Sequence, residues 1–227
     1  SLFHKPFETN PQIKTFYFKK YLSNIQLQFF QQNIQRRNVM KENQIIVLCG
    51  KSSSGKDTLA SYFKSQGYKF VISHTSRPMR ENESEGNPYY FISDKKFKEM
   101  LEHNEFIEYR EYNTLIGGKP QKWFYGVHQS QIEDLHKYVL VVDLQGLSEI
   151  KSKFGNRVKA FYLDVPTPIR TERAMERGSF DEFEWHRRVQ DDDNKFHWLK
   201  LKELDVNVIP FRWQSVEELY QEILEEL

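Results

Sequence analysis

From Met40 onward, apolar positions come in blocks rather than singly. Strand-length apolar stretches at Ile45–Cys49, Tyr68–Ser73, Tyr138–Asp143, Val158–Leu163 and Asp205–Ile209 fit parallel strands covered on both faces. Segments with helical spacing fall between them. One covers 57–65, and one, capped by Ser93 or Asp94, runs through Leu101. Another covers 128–137, and one follows Gln145-Gly146 to about Phe154. Thr167 as cap with Pro168 in the first turn opens a helix ending near Arg177-Gly178, and a long helix starts at about Phe183. Ser215 with Glu218 forms a capping box for a helix carrying Val216, Leu219, Tyr220, Ile223 and Leu224 on one face. Residues 81–92 read as turns and a short β segment. Residues 104–127 read as two short aromatic strands divided by Gly117-Gly118-Lys119-Pro120. Repeated βα units imply an α/β fold: a parallel sheet between two helical layers, with ligands at the strand C-terminal ends.

Residues 1–39 differ in kind. They are rich in Phe, Gln and Asn, and carry Lys5, Lys14, Lys19, Lys20, Arg36 and Arg37 against Glu8 alone. Phe18, Leu22, Ile25 and Phe29 share a helical face, which fits an N-terminal arm; a targeting leader and an artefact of start-site choice are the competing readings. The body is expected to run over 40–227.

The first strand leads into Gly50-Lys51-Ser52-Ser53-Ser54-Gly55-Lys56-Asp57-Thr58. Glycines five apart, followed by lysine and set between strand and helix, make a phosphate cradle. The glycines let backbone N–H groups converge on an anion, the helix N-terminus adds its positive end, and Lys56 reaches the outer phosphates. Gly50, Ser52, Ser53, Ser54, Gly55, Lys56, Asp57 and Thr58 are therefore the expected ATP-binding residues. The slot after the lysine usually holds the hydroxyl that meets Mg²⁺; here it is Asp57. Thr58, one place late, or Asp57 through water, is the expected metal contact. This points away from switch-type GTPases and towards small-molecule kinases.

A second constellation, Ser73-His74-Thr75-Ser76-Arg77-Pro78-Met79-Arg80, places two guanidiniums just past a strand end. Their forks suit a phosphate dianion. Glu108 and Asp143, at strand ends on the same side, suit a base with an N–H edge and an exocyclic amine, as guanine has. The bland readings are surface arginines for the loop, and ion pairing with a neighbouring Lys or Arg for the carboxylates.

Composition narrows the field further. Net charge is +1, so no basic field announces nucleic acid. The one cysteine, Cys49, sits in a strand and excludes a disulfide framework. No stretch has the roughly 18 apolar residues of a membrane span. The expected setting is the cytoplasm, with organelle targeting by residues 1–39 as the alternative. Asp191-Asp192-Asp193 reads as a solvated helix face, and Trp185 and Trp198 as core or lid-hinge packing.

The 73–80 run, Gly86 with Tyr89 and Phe91, Glu105-Phe106-Ile107-Glu108, Tyr125-Gly126, Asp143-Leu144-Gln145-Gly146 and Arg177-Gly178 follow the cradle in an order that resembles guanylate kinases. The resemblance implies a P-loop NTPase three-layer αβα core (40–73 and 138–227), a small mixed β part binding the nucleoside monophosphate (74–127) and a lid (about 174–190). It implies ATP-dependent phosphorylation of GMP, with dGMP a further acceptor, using ATP with Mg²⁺ in a monomer or homodimer. Ser73, Arg77, Arg80, Tyr89 and Tyr125 would hold the GMP phosphate, and Glu108 and Asp143 would read guanine. Lys56, Arg80, Arg173, Arg177 and Arg188 would be catalytic, neutralising the transferring phosphoryl group. The chain departs from the family at Val127, where Ser or Thr helps bind guanine, at Val141, which replaces an acid, and in a longer 110–124 loop. Lys56-Asp57 and Tyr125-Gly126-Val127 are also similar to ribose 1,5-bisphosphate phosphokinases. A kinase for another nucleoside monophosphate and a catalytically inactive binding module complete the alternatives.

Overall fold

The computed structural model describes residues 44–81, 83–116, 119–133, 136–176 and 180–227. The expectations for residues 1–39 and for Arg177 lie outside the described residues.

The central strand, β1 (Ile45–Cys49), is fully buried. Its alternating side chains feed two cores, because successive residues of a strand point to opposite faces. Ile45, Val47 and Cys49 meet Leu144, Leu147 and Ile150 on one face; Ile46 and Leu48 meet Leu59, Phe63 and Ile223 on the other. The loop after β1 enters α1 (Lys56–Ser65) through Gly55, whose φ of +94° requires glycine. No side chain caps α1, so its first N–H groups are left facing the loop.

The chain then forms β2 (Lys69–Phe70) and crosses directly into a second sheet at β3 (His74–Thr75). There follow β4 (Tyr90–Phe91), α2 (Asp94–Glu102, capped by Ser93), and a hairpin of β5 (Phe106–Ile116) and β6 (Lys119–His128). The second sheet has the mixed order β4-β3-β6-β5. The hairpin strands are eleven and ten residues long, not the short pair the sequence suggested, because the 110–124 segment continues the ladder as far as Ile116 and Lys119.

The chain returns to the first sheet at β7 (Tyr138–Val141), then α3 (Leu144–Phe154), β8 (Val158–Asp164), α4 (Thr167–Met175), α5 (Glu182–Lys195), α6 (Trp198–Glu203), β9 (Asn207–Pro210) and α7 (Val216–Glu225). That sheet is parallel throughout, in the order β2-β7-β1-β8-β9. The capping box of α7 is present as expected, with Ser215 and Glu218 exchanging hydrogen bonds. No helix among the described residues is long and apolar enough to cross a membrane.

Four local expectations are corrected. The helix over 128–137 is a single 3₁₀ turn at Gln129–Gln131, since the Gln131 side chain exchanges hydrogen bonds with the Ile72 backbone instead. The long helix from Phe183 breaks at Phe196, where the His197 ring accepts the Leu199 N–H and caps a new helix. Pro166, not Thr167, is the cap of α4, and Thr167 Oγ1 accepts from Arg170. Trp185 is buried, but Trp198 is 63% exposed at the start of α6 and packs no hinge.

Candidate active site

The cradle is a wall between two cavities. On one side lies a cleft of about 530 Å³ lined by Gly50, Ser52, Lys56 and Asp57. On the other lies a cavity of about 410 Å³ lined by Ser53, Ser54, Gly55 and Thr58. The wall is thin because glycine is required in it: a Cβ on Gly50 would lie 2.7 Å from Ser54 Oγ and 3.2 Å from Leu163 O. Ser53, with φ +61°, also takes the left-handed conformation that turns amides inward. The loop's polarity is visible in its contacts. The Ser52 N–H donates to the Asp192 carboxylate at 2.7 Å, and Lys56 Nζ folds back onto Lys51 O at 3.0 Å. Ser54 Oγ is buried with no partner among the described residues. An orphaned hydroxyl in a glycine-walled loop at a helix N-terminus fits a polyphosphate.

Asp192 therefore departs from the solvated face the sequence suggested, while Asp191 and Asp193 stay about half exposed on it. Asp192 is buried against Ser52 N and Arg170 Nη1, and Asp193 pairs with Lys51 at 2.5 Å. Arg170, fully buried, ties the start of α4 to the loop through Val165 O, Ser52 O and Thr167 Oγ1. Sequence reasoning missed this residue. A lone arginine in an amphipathic helix gives no sign of a long-range partner.

The larger cleft brings the cradle and the arginine loop together. Ser73, Arg77, Arg80, Tyr89, Glu108, Tyr125, Asp143 and Arg188 all line it with Lys56 and Asp57. The direct crossing from β2 to β3 explains this, since it puts residues 73–80 beside the C-terminal end of β1. Arg77 is 4% exposed and held bidentate by Glu83 at 2.8 and 2.9 Å, with Tyr89 and Phe91 rings 5.7 and 5.5 Å from its guanidinium carbon. The Arg80 N–H donates to the same Glu83 carboxylate at 2.9 Å. Tyr125 packs edgewise on Tyr89 and Tyr112.

Arg173 falls elsewhere, in the smaller cavity. There it donates to Ser54 O at 3.2 Å and lies 5.5 Å from the Phe211 ring. Thr58 shares that cavity, so of the two expected metal contacts only Asp57 faces the larger cleft. Among the described residues, no group of three or more His, Cys, Asp or Glu side chains could hold a metal ion alone. Any Mg²⁺ would depend on phosphate oxygens and water. Arg188 donates from Nε to Glu184 at 2.8 Å on its own helix.

At the far end of the cleft, Glu108, Arg110 and Tyr112 project from one face of β5, as alternate strand residues do. Burial raises the Glu108 carboxyl to about 7; the Arg110 charge opposes that rise, and Asp143 and Glu149 reinforce it. Asp143 caps α3 by accepting the Gly146 N–H at 2.9 Å, and it also takes Arg110 Nε at 3.3 Å and the Tyr112 hydroxyl at 3.2 Å. Ion pairing of these carboxylates with an arginine is thus present. Arg110 was missed by the sequence reading, although the Glu-x-Arg-x-Tyr alternation on a strand is the signal that would have found it. Val127 is fully buried in the core and is not among the residues that line the cleft.

A parallel αβα core with a glycine-walled phosphate loop at the end of its central strand, and a small mixed sheet facing that loop, defines a P-loop nucleotide-binding protein. The guanylate kinase family model matches residues 42–207, and the chain belongs to the guanylate kinase family. A guanylate kinase of Trichodesmium erythraeum is 32% identical over 153 residues, covering 66% of this chain and 80% of that protein. One of Bacteroides fragilis is 34% identical over 131 residues, 55% of this chain; the match spans 61% of that relative's length. The crystal structure of guanylate kinase from Anaplasma phagocytophilum shares the fold, with a TM-score of 0.53 at 20% identity over 82% of this chain and 85% of that one.

Proposed function

We propose that the chain transfers the terminal phosphoryl group of ATP to GMP, forming ADP and GDP, with dGMP as a further acceptor. The observation that carries this reading is the shared cleft: Lys56 of the cradle and Arg77, Arg80 and Arg188 line one cavity. An in-line transfer needs donor and acceptor oxygens brought together and their charge neutralised, with little covalent help. The cradle amides and Lys56 hold the donor phosphates. The smaller cavity, with Arg173 and Phe211 beside the loop, has room for the donor's base and ribose. Arg77, Arg80, Ser73, Tyr89 and Tyr125 grip the acceptor phosphate.

Asp57 would hold Mg²⁺ through water, and the ion, bound with ATP, would supply charge neutralisation at the phosphates. Arg188, released from Glu184, turns to the phosphoryl group when the lid helix closes and excludes water. The test is ADP release measured across GMP, dGMP, AMP, UMP, CMP and ribose 1,5-bisphosphate. GMP is expected to be the fastest acceptor. Ribose 1,5-bisphosphate turned over faster than every nucleotide would replace this reading with the sugar-phosphate kinase.

A further inference from the structure

Three features of the far end of the cleft belong together. First, both Asp143 oxygens are already used: Oδ1 accepts from Gly146 N and Arg110 Nε, and Oδ2 from the Tyr112 hydroxyl. Second, Arg110 is itself 8% exposed, and while its Nε and Nη1 are bonded to Asp143, Tyr109 O and Glu149, its Nη2 has no partner among the described residues. A buried donor left unpaired costs free energy on the order of 1–3 kcal/mol, so such a group marks where a ligand acceptor belongs. Third, Glu108 Oε2 and Arg110 Nη2 converge beside Gly146. A Cβ built on Gly146 would lie 3.1 Å from the first and 3.4 Å from the second. Glu108 Oε2 is also 3.8 Å from Arg110 Nη1, which keeps the carboxylate and the guanidinium side by side.

We propose that this end of the cleft reads the lactam edge of a 6-oxopurine, with Glu108 accepting N1–H and Arg110 donating to the C6 carbonyl oxygen, and leaves the purine 2-position unread. The inference rests on the kinase reading above and narrows its acceptor to a substrate class, the 6-oxopurine nucleoside monophosphates, GMP and IMP alike. An acceptor and a donor side by side match a lactam, whose donor and acceptor are adjacent in the same order. Adenine reverses that order and meets a guanidinium with its own amine. Val127 carries no hydroxyl for the carbonyl oxygen, and Arg110 Nη2 is an unpartnered donor beside Glu108. Three protein donors already sit on Asp143, two on Oδ1 and one on Oδ2, so a 2-amine must compete with the Tyr112 hydroxyl for Oδ2. Arg110 is thus a specificity-determining residue.

The experiment compares kcat/KM for GMP, IMP, AMP and 2-aminopurine riboside 5′-monophosphate with the full chain. IMP is expected within about tenfold of GMP, and the two nucleotides lacking the lactam at least about 10³ lower, since a site built to hydrogen-bond an edge rejects analogues that cannot complete it. IMP as poor as AMP would overturn the proposal, and so would 2-aminopurine nucleotide as good as GMP. Arg110→Lys and Arg110→Met should lower GMP and IMP together by about 10²-fold, mainly through KM, and shrink the GMP-to-AMP ratio. An unchanged ratio in a folded variant would show that Arg110 is structural. If Arg110→Met does not fold, the analogue series on the unaltered chain still decides. If no nucleotide is phosphorylated, the kinase reading fails on its own. Calorimetric Kd values for GMP and IMP then decide the edge reading: values within tenfold of each other support it, and a large preference for GMP rejects it.

Discussion

The two ends of the cleft are built on different principles. At the cradle end, the ligand-facing groups are mostly backbone amides, fixed by glycine conformations at Gly50 and Gly55 and by the N-terminus of α1. At the far end they are side chains on β5, held by a network of four charged residues, Glu108, Arg110, Asp143 and Glu149. Backbone-built sites tolerate few changes and leave a short, local signature. Side-chain networks can be rewired by single substitutions, and their meaning depends on residues 30 or more positions away. The difference explains why the cradle was legible in the sequence while the network around Arg110 was not.

The comparison breaks most sharply at the cradle. Lys56→Ala should reduce turnover by roughly 10³-fold or more with little change in melting temperature, and Arg80→Ala similarly, because each removes charge from the transferring group. Unaltered ADP release in either would refute the site. Next in size, Gly146→Ala should raise the KM for GMP by about 10–100-fold while kcat changes less. Its Cβ would sit 3.0 Å from Val142 Cβ as well as against Glu108 and Arg110, so the base pocket must give way. A full kinetic profile with both constants checks this.

A pH series on Glu108 sharpens the contrast further. Its folded pKa of about 7 lies above the ordinary 4.5, so its contribution to stability is complete below about 4.5 and is lost as pH rises through about 7. The melting temperature should fall across that window, and Glu108→Gln should flatten the fall. Activity should run the other way, because the carboxylate accepts N1–H more strongly than the protonated carboxyl does. The kcat/KM for GMP should climb several-fold between pH 6 and 8, and a flat profile would remove Glu108 from the base site. The smallest effect is expected on α5, where Glu184 pairs with Arg187 and Arg188 in a largely solvated setting. Glu184→Gln should change unfolding free energy by no more than about 0.5 kcal/mol in urea denaturation.

What the sequence could convey divides along the same line. The three inner strands of the parallel sheet were readable because each is an apolar stretch packed on both sides, a property of the segment itself; the edge strands β2 and β9 are only partly buried. The cap at Ser93 and the capping box at Ser215 were readable because their partners lie three residues on. Helix 128–137 was misread because a polar segment with helical spacing contains nothing to announce that Gln131 would bond Ile72. Asp192 was misread for the same reason. Three acids in a row look solvated until a loop 140 positions earlier and a buried arginine are brought against one of them. Arg110 stood in a segment read only as an aromatic strand, and its three carboxylate partners come together because β5 packs against α3.

Cys49, the chain's one thiol, ends the strand that carries the cradle; it is fully inaccessible, and burial, reinforced by the charge of Asp143, pushes its pKa up to about 12. While the protein is folded it should be silent towards alkylating reagents, whose target is the thiolate. Any labelling therefore times the opening of the central strand. Slower modification with nucleotide present would measure how strongly an occupied cradle keeps the middle of the sheet shut.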